Sequence, residues 1–280
     1  MFVTRFAPSP TGYLHLGHAF AALTASEAAQ GGAFLLRIED LDATRCRENF
    51  AGAILDDLRW LGLRWQEPVL RQSARSSAYA AALEQLDRLG VIYPCFCTRS
   101  DVAAEIARSA EAPHGPDGPV YPGTCRRLTS RERLSRKESG VAFALRLDSA
   151  NAAARVGKIQ ILEASGFPYR TYASIPVDPL LFGDIVLARK DTPASYHLAV
   201  VIDDAAQGVT LVTRGLDLLP STHVQRVLQE LLGCPAPKYA HHRLVIGKDG
   251  RKLSKREDAQ SLRALRLAGM APAEVLAMLK

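Results

Sequence analysis

Apolar residues form alternating strand-like and helix-like stretches at the start of the chain. Residues 2–6 and 34–38 are short apolar runs, and the Ala-rich stretch 19–30 between them is typical of a helix. Gly31 and Gly32 follow this stretch, as expected at a helix end. A strand, a helix and a second strand in this order predict a βαβ unit with a parallel sheet and a right-handed crossover.

The same two patterns return further along the chain. In residues 49–61 the apolar positions fall at helical spacing, and Gly62 follows; residues 76–89 repeat the arrangement before Gly90. After residue 190, two Val-rich runs predict buried strands of a parallel sheet, at 198–204 and 209–214. Further helices are predicted at 222–232, 261–268 and 272–279.

Residues 95–190 interrupt this alternation. They contain a helical stretch at 98–108, a loop rich in Pro and Gly at 109–124, and an alternating strand pattern at 141–147. We therefore predict an α/β protein with an inserted α+β subdomain. The predicted divisions are a Rossmann-like, parallel-sheet nucleotide-binding domain in two halves (1–94 and 191–256), the insertion (95–190) and a short helical C-terminal segment (257–280).

Composition narrows the class of protein. The chain has 280 residues, of which 48% are apolar and 23% charged, and this suits a globular protein with a sizeable core. No apolar window approaches the roughly 18 residues of a membrane span, and no signal peptide is visible, so we expect a cytoplasmic protein with no membrane partner. The net charge of +6 is concentrated partly in segments 126–137 and 243–256, a pattern compatible with a nucleic acid or polyphosphate partner.

The first stretch with recognisable chemistry is residues 5–18, which reads Arg5-Phe-Ala-Pro-Ser-Pro-Thr-Gly-Tyr-Leu-His-Leu-Gly-His18. A strand, a Pro/Gly loop and a helix start form a phosphate site in many α/β proteins, because the first N–H groups of a helix attract anions. His15 and His18 are three residues apart and share one face of the first turn. Taken alone, the pair would favour the simpler interpretation of two surface histidines in a loop.

A second stretch lies near the other end, at Lys252-Leu-Ser-Lys255-Arg256 after Gly247 and Gly250. Lysines on a loop can close over a polyphosphate and stabilise charge on a leaving group. Lys- and Arg-rich loops are common, so this pattern gains its meaning only in combination with the first stretch.

The pair of stretches resembles the class I aminoacyl-tRNA synthetases, which have a His-Ile-Gly-His element and a Lys-Met-Ser-Lys-Ser loop. Here these read His15-Leu-Gly-His18 and Lys252-Leu-Ser-Lys255-Arg256, and Arg256 departs from the final Ser. The further segments 36–40, 199–204 and 214–217 are similar to the catalytic half of glutamyl-tRNA synthetases.

This resemblance implies a substrate and a set of site residues. ATP, with Mg²⁺, would be bound by His15, His18 and Lys255, and Lys252 and Lys255 would stabilise the leaving pyrophosphate. The residues that match the family's glutamate pocket are Arg5, Ala7, Ser9, Glu39, Tyr196 and Arg214. The chemistry is consistent with this, because arginines give forked hydrogen bonds to carboxylates and Glu39 can bind an ammonium group. Each of these residues, considered singly, could instead serve a structural ion pair or the core.

Two features point to one group within the family. Only residues 257–280 follow Arg256, which leaves no room for an anticodon-binding domain, and Leu41 stands where full-length enzymes usually have Thr. Both resemble the truncated glutamyl-queuosine tRNA(Asp) synthetases. The resemblance implies activation of L-glutamate without tRNA, followed by transfer to queuosine in the anticodon stem-loop of tRNA(Asp), by a monomer. The alternatives are a truncated synthetase that charges the 3′ end of tRNA(Glu) and a catalytically silent RNA-binding paralogue.

The cysteines indicate a metal rather than disulfides, since their number is odd and the chain is large. Cys95, Cys97 and Cys125 flank the Pro/Gly loop and suit one structural Zn²⁺, for which thiolates are the usual ligands. The family pattern supplies Tyr121 as the fourth ligand, and His114 is the more conventional candidate chemically. Three unrelated buried thiols are the alternative. In the same subdomain, the possible phosphate contacts are Arg126, Arg127, Arg131 and Arg133.

Overall fold

The structure is a computed structural model that describes residues 1–108, 114–245 and 261–279. Its strands are β1 Val3–Phe6, β2 Ala33–Ile38, β3 Gln66–Arg71, β4 Ile92–Cys95, β5 His114–Gly115, β6 Gly118–Pro119, β7 Ala144–Leu147, β8 Gln160–Ala164, β9 Tyr172–Pro176, β10 Val186–Ala188, β11 Leu211–Gly215 and β12 Lys238–His242. Its α-helices are α1 Leu16–Ala28, α2 Glu48–Trp60, α3 Ser76–Arg88, α4 Arg99–Arg108, α5 Ser130–Glu138, α6 Ser149–Val156, α7 Tyr196–Ala206, α8 Leu219–Leu232, α9 Leu262–Leu267 and α10 Pro272–Met278.

Parallel strands form the centre of the fold. β1, β2 and β3 make one parallel sheet, and in a second sheet β11, β12 and β8 are parallel while β9 pairs antiparallel with β8. The two sheets meet where Thr210 N donates to Val3 O at 2.9 Å, so β1 lies beside the start of β11. The α/β class with a parallel sheet is therefore confirmed. Ligands of such sheets bind at the carboxyl ends of the strands, where the strand order reverses.

A smaller antiparallel sheet has the order β10-β7-β4, and β5 pairs with β6 in a short hairpin. Both lie within or next to the predicted insertion. β8 and β9 are also within residues 95–190, yet β8 pairs with β12. The division into 1–94 with 191–256, 95–190 and 257–280 remains a prediction.

The strand predicted at residues 198–204 is wrong, because this run is part of helix α7. The side chain of Ser195 caps the helix by accepting a hydrogen bond from Leu198 N. The run is apolar throughout because the helix packs on α3, α8 and β10. A helix that is buried on most sides has the same composition as a strand of a parallel sheet.

The two C-terminal helices, α9 and α10, pack against the first half of the chain. Leu262 and Val275 share a core with Ala22 and Leu36, which belong to the opening βαβ unit. At the edge of this core Arg266 Nη2 lies 3.1 Å from Asp57 Oδ1 of α2, and burial raises the pKa of Asp57 to about 6. Residues 261–279 are therefore an integral part of the half of the fold that contains β1, α1 and β2.

Candidate active site

The turn at His15–His18 has a defined hydrogen-bond pattern. His15 is the N-cap of α1, and its Nδ1 accepts from Gly17 N at 3.1 Å. His18 Nδ1 accepts from His15 N at 3.2 Å, and the two rings lie 3.8 Å apart between centroids. Because both Nδ1 atoms accept from backbone N–H groups, the proton of each neutral ring is on Nε2. The structure thus brings the two predicted histidines together with defined tautomers.

Gly17 is needed for this arrangement. A Cβ at this position would lie 2.9 Å from His15 Cε1, so any side chain would displace the imidazole that caps the helix. The Leu-Gly-His order after His15 therefore has a local structural reason.

The predicted loop residues Lys252 and Lys255, together with Arg256, lie outside the described residues. The described residues on either side are informative. A Cβ on Gly17 would lie 4.0 Å from Val245 Cβ, and Ser261 forms an isolated β-bridge with His15. Leu262 N also donates to Leu14 O at 2.7 Å. Residues 245 and 261, the last and first described residues on either side of this loop, therefore both lie beside the turn at His15–His18.

Three of the residues predicted for glutamate line one cavity of about 280 Å³. Ser9 follows β1, Glu39 follows β2, and Tyr196 begins α7. The remaining lining residues are Leu41, Asp42, Arg45, Gln72, Val186, Ala188, Arg189, Thr192, Ala194 and Ser195. The cavity is at the carboxyl ends of β1 and β2, where a parallel sheet is expected to bind a ligand.

Arg5 takes part in a buried ion cluster. Its Nε lies 2.9 Å from Asp204 Oδ1, and the same oxygen lies 2.7 Å from Nη1 of Arg37. Burial alone would raise the pKa of Asp204, but the two guanidinium groups outweigh it and hold that pKa below its usual range. Ala7, the next predicted position, is half-buried just beyond the end of β1.

Arg37 continues the cluster towards the cavity. Its Nη2 lies 3.3 Å from Glu39 Oε1, and its Nη1 also donates to Gln207 Oε1 at 2.9 Å. Burial raises the pKa of Glu39, while the charges of Arg37 and Arg5 only partly offset this effect. A cation in the cavity would favour the ionised form of Glu39, so the site is suited to an ammonium group.

Arg214, on β11, is buried and held by several groups. It donates to Thr222 Oγ1 at 2.6 Å, to Gln225 Oε1 at 2.8 Å and to His241 Nε2 at 3.2 Å. It also contacts Tyr196 Oη at 3.5 Å, which connects it to the cavity wall. The structure therefore places Ser9, Glu39 and Tyr196 at the cavity itself, and Arg5 and Arg214 in the buried layer next to it.

Several residues of this layer were not predicted. Arg37 and Asp204 lie in segments that resemble the family, at 36–40 and 199–204, but the sequence predicts no role for either residue. Thr222, Gln225 and His241 have no signal in the sequence, since each meets Arg214 only through the packing of α8 and β12 on β11.

The predicted metal ligands converge at the end of β4, beside the smaller sheet. The Sγ atoms of Cys95, Cys97 and Cys125 all lie within 4.8 Å of one another. Tyr121 Oη lies 3.4 Å from both Cys95 Sγ and Cys97 Sγ, and it accepts a hydrogen bond from Cys125 N at 2.9 Å. The side chain of His114 is outside the described part of the chain.

These distances fit a tetrahedral zinc site. Two Zn–S bonds of about 2.3 Å separate their sulfurs by about 3.8 Å in a tetrahedron. The donor set suits the ion, because thiolates are the usual ligands of structural zinc and Phe96 N already donates to Cys125 Sγ at 3.3 Å. Burial raises the pKa of the Cys97 thiol to about 12, which a bound cation would reverse. The cluster can therefore hold a metal ion.

The basic segment of the insertion is partly engaged within the protein. Arg126 Nη1 lies 3.1 Å from the buried carboxylate of Asp184, and Arg133 Nη2 donates to Arg126 O at 2.7 Å. Arg127 forms a 3.7 Å ion pair with Glu105 but stays exposed, as does Arg131. Of the four predicted phosphate contacts, Arg126, Arg127 and Arg133 thus have partners within the protein, and Arg127 and Arg131 are exposed.

A second basic surface adjoins the cavity. A groove of about 360 Å³ is lined by Lys137, Gly140, Val141, Ala142, Phe143, Leu145, Ala188, Arg189 and Lys190. Ala188 and Arg189 line both this groove and the cavity of Glu39. Lys137 Nζ lies 5.2 Å from the centroid of the Phe143 ring. The groove thus combines three cations with an aromatic surface, and none of the described residues that line it is acidic.

In the described residues, no helix is both long enough and apolar enough to cross a bilayer.

Comparisons with known proteins agree with the geometry. Residues 1–280 match the family model of the class I tRNA synthetases (E and Q), catalytic domain. A protein of Rhodobacter capsulatus named glutamyl-Q tRNA(Asp) synthetase is 48% identical over 278 residues, which cover 98% of each chain. A glutamate–tRNA ligase of Aquifex aeolicus is 40% identical over 96% of this chain and 54% of its own length.

Solved structures give the same result. A glutamate tRNA ligase of Elizabethkingia meningosepticum, determined in complex with its amino acid, matches with a TM-score of 0.72 and 29% identity. The match covers 92% of this chain and 52% of that one, so the chain spans about half the length of this ligase.

Proposed function

Because the chain belongs to the class I tRNA synthetases of the E and Q type and is a ligase of the aminoacyl-tRNA synthetase kind, we propose that it activates L-glutamate with ATP in the absence of tRNA and transfers it to queuosine at the wobble position of tRNA(Asp). The proposed enzyme is a cytoplasmic monomer. The second candidate, supported by the similarity to glutamate–tRNA ligases, is the charging of tRNA(Glu) at its 3′ end.

The observation that carries the first step is the pairing of opposite charges around one cavity. The Glu39 carboxylate faces it from the end of β2, and Tyr196 connects it to the Arg214 guanidinium. A substrate with an ammonium group and a side-chain carboxylate meets both requirements. We assign Glu39 to the ammonium group, Arg214 to the side-chain carboxylate, and Arg5, Ala7 and Ser9 to the rest of the pocket.

In the activation step, an oxygen of the glutamate α-carboxylate bonds to the α-phosphorus of ATP, and the bond to pyrophosphate breaks. Positioning and charge stabilisation dominate such phosphoryl chemistry. The Nε2–H groups of His15 and His18 suit them to donate to the nucleotide, and Mg²⁺ would accompany the phosphates. We assign Lys252 and Lys255 to the departing pyrophosphate, which is consistent with the approach of residues 245 and 261 to the histidine turn.

In the transfer step, a hydroxyl oxygen of the queuosine cyclopentene ring attacks the carbonyl carbon of glutamyl-adenylate. An ester bond forms, the mixed anhydride bond breaks, and AMP leaves, while the hydroxyl proton passes to a phosphate oxygen of the departing AMP. The name and full-length match of the Rhodobacter capsulatus relative support this acceptor. Leu41 also supports this assignment. It stands where full-length enzymes usually have Thr, and it lines the same cavity as Glu39.

The groove next to the cavity is suited to the RNA. Lys137, Arg189 and Lys190 can contact phosphates, and Phe143 offers a surface on which a base can stack. Since Arg189 lines both sites, a nucleotide in the groove would lie next to the activated glutamate. We propose this groove, together with Arg127 and Arg131, as the contact surface for the anticodon stem-loop.

The zinc ion has a structural part in this proposal. Cys95, Cys97 and Cys125 would hold it, with Tyr121 as the fourth ligand, and the ion would join β4 to the segment that precedes α5. It takes no part in the reaction, because its ligands are the three thiols and the phenol.

The activation step is tested by ATP–pyrophosphate exchange with purified protein and no RNA. We expect exchange that requires L-glutamate and is not supported by L-glutamine or L-aspartate. Absence of exchange without RNA, but exchange after addition of tRNA(Glu), would favour the second candidate. Absence under both conditions would contradict glutamate activation.

A further inference from the structure

A chain of hydrogen bonds connects Glu163 to Arg214 through His241. Glu163 Oε2 lies 2.8 Å from His241 Nδ1, and Glu163 Oε1 accepts from the backbone N of His241 at 2.7 Å. On the other edge of the ring, His241 Nε2 lies 3.2 Å from Arg214 Nε. The His241 side chain is 1% exposed and the Glu163 side chain 18%, so the ring is shielded from water while the carboxylate is only partly so.

The fold places the three residues side by side. Arg214 on β11 and His241 on β12 are direct cross-strand partners. Glu163 lies on β8, the other neighbour of β12, where it is paired with Tyr239. Adjacent strands hold such side chains at fixed spacing. The row therefore depends on the register of three strands and not on a flexible loop.

The chemistry of arginine determines the state of His241. Arg214 Nε–H can only donate, so His241 Nε2 must be an unprotonated acceptor. The proton of the neutral ring is then on Nδ1, where it donates to the Glu163 carboxylate. Burial alone would raise the pKa of Glu163, but its hydrogen bonds from His241 outweigh this and keep the pKa below the usual range.

Arg214 has further contacts with α8 and α7, and one of these partners, Thr222 Oγ1, also lies 3.3 Å from His241 Nε2. Thr222 and Gln225 of α8 accept from its Nη2 and Nη1 atoms, and Tyr196 contacts Nη1 at 3.5 Å. Only His241, among the described residues, accepts from Nε. Loss of this acceptor would leave the guanidinium held only through its two terminal nitrogens, so its tilt would be less strictly fixed while its position is retained.

We propose that Glu163 and His241 are positioning residues that fix the Arg214 guanidinium in the orientation required by the side-chain carboxylate of the amino acid substrate. The proposal rests on the assignment of Arg214 to glutamate binding. Glu163 fixes the tautomer of His241, and His241 in turn fixes the direction in which Arg214 presents its other N–H groups. Neither positioning residue contacts the substrate in this arrangement.

Kinetics of pyrophosphate exchange separate this role from a structural one. In Glu163→Gln we expect KM for glutamate to rise about tenfold, as for loss of a hydrogen bond to a charged group, while KM for ATP stays within twofold. His241→Leu should raise KM for glutamate at least as much. His241→Gln should restore much of the loss, because the Gln side-chain oxygen can reach the position of Nε2 and accept from Arg214.

Glu230→Gln is the matched control, since Glu230 forms a surface ion pair with Arg226 on α8. It should leave both KM values unchanged. An unchanged KM for glutamate in Glu163→Gln, or equal increases for glutamate and ATP, would overturn the proposal.

The tautomer of His241 tests the positioning chain independently of activity. Nitrogen-15 NMR of histidine-labelled protein should show the Nδ1–H form of His241 in the unmodified chain. The Nε2–H form would overturn the proposal even if the enzyme activates glutamate. Absence of glutamate-dependent exchange in the unmodified protein would instead contradict the proposed function, and the NMR result would still decide the state of His241.

Discussion

Arg37 Nη1 lies 2.7 Å from Asp204 Oδ1, and this contact joins β2 to α7 across 167 positions of the sequence. Neither side chain is appreciably exposed, and the same carboxylate oxygen also receives Arg5 Nε. One aspartate therefore balances two arginines directly behind the cavity that contains Glu39. The ion cluster therefore joins α7 to β1 and β2 next to this cavity.

The first prediction concerns removal of this charge. Among the described residues, Asp204→Asn leaves Arg5 buried without its counter-ion and Arg37 paired only with Glu39, so we expect the free energy of unfolding in urea to fall by about 3 kcal/mol. Glu48→Gln is the control, because Glu48 pairs with Arg71 at 2.6 Å on the surface. Its loss should cost at most about 1 kcal/mol. Equal losses in both variants would contradict the role of the buried cluster.

The same carboxylate gives a pH dependence of stability. The pKa of Asp204 in the folded protein is held below its ordinary value, although burial opposes this, because Arg5 and Arg37 favour the charged form. The contribution of Asp204 to stability is therefore complete above the ordinary aspartate pKa and is lost as the pH falls below it. In Asp204→Asn the acid-induced decrease in unfolding free energy should be smaller than in the unmodified protein.

The second prediction concerns Glu39. Burial raises its pKa, so in the free enzyme it gains a proton at a higher pH than an ordinary glutamate. Because only the carboxylate form binds an ammonium group, kcat/KM for glutamate should decrease as the pH falls through this raised pKa. Glu39→Gln should lower kcat/KM by at least tenfold, since an ion pair is lost, and remove that decrease. The measurement is kcat/KM for glutamate in pyrophosphate exchange between pH 4.5 and pH 8, for both proteins. The same decrease at low pH in Glu39→Gln and in the unmodified protein would contradict the assignment of Glu39 to the ammonium group.

The third prediction concerns the metal. We expect one zinc per chain by elemental analysis and loss of most of it in Cys95→Ser or Cys125→Ser, because a structural site needs its full thiolate set. Tyr121→Phe should weaken zinc retention against a chelator, while His114→Ala should not. Cys234→Ser is the matched control, as Cys234 lies after α8 and outside the cluster. Equal zinc contents in the cluster variants and the control would refute the site.

The fourth prediction concerns the groove beside the cavity. Lys137→Ala combined with Lys190→Ala should weaken RNA binding and lower the slope of log K against log salt by about 1.4, for two phosphate contacts at about 0.7 each. Pyrophosphate exchange should be unaffected, because neither lysine lines the amino acid cavity. Arg155→Ala with Lys158→Ala removes two exposed cations that do not line the groove, and should leave the slope unchanged. Identical slopes for the two double variants would argue against the groove as the RNA surface.

The sequence predicts the opening βαβ unit well, because its apolar periods, its glycines and its histidine turn all favour the same local structure. It fails at α7, where Val200, Val201 and Ile202 would fit a buried strand equally well. The Ser195 cap and the packing on α3, α8 and β10 favour the helix. A local sequence pattern contains no information about such packing.

The candidate site divides in the same way. Glu39 and Tyr196 match residues of the family's glutamate pocket, and both line the cavity. The partners of Arg214 come from α8 and from β12, and Glu163 enters through the register of β8 with β12. Strand register and helix docking are decided by long-range packing, so no spacing in the sequence indicates them.

The proposed acceptor is tested most directly by transfer of labelled glutamate to tRNA(Asp) that lacks its terminal adenosine. This RNA lacks the terminal adenosine, whose ribose is the site of 3′ charging, but it retains the wobble base. We predict full transfer to the truncated RNA when it contains queuosine, and none to the same RNA with unmodified guanine. Transfer that requires the terminal adenosine, or that occurs equally well without queuosine, would contradict the assignment of queuosine as the acceptor.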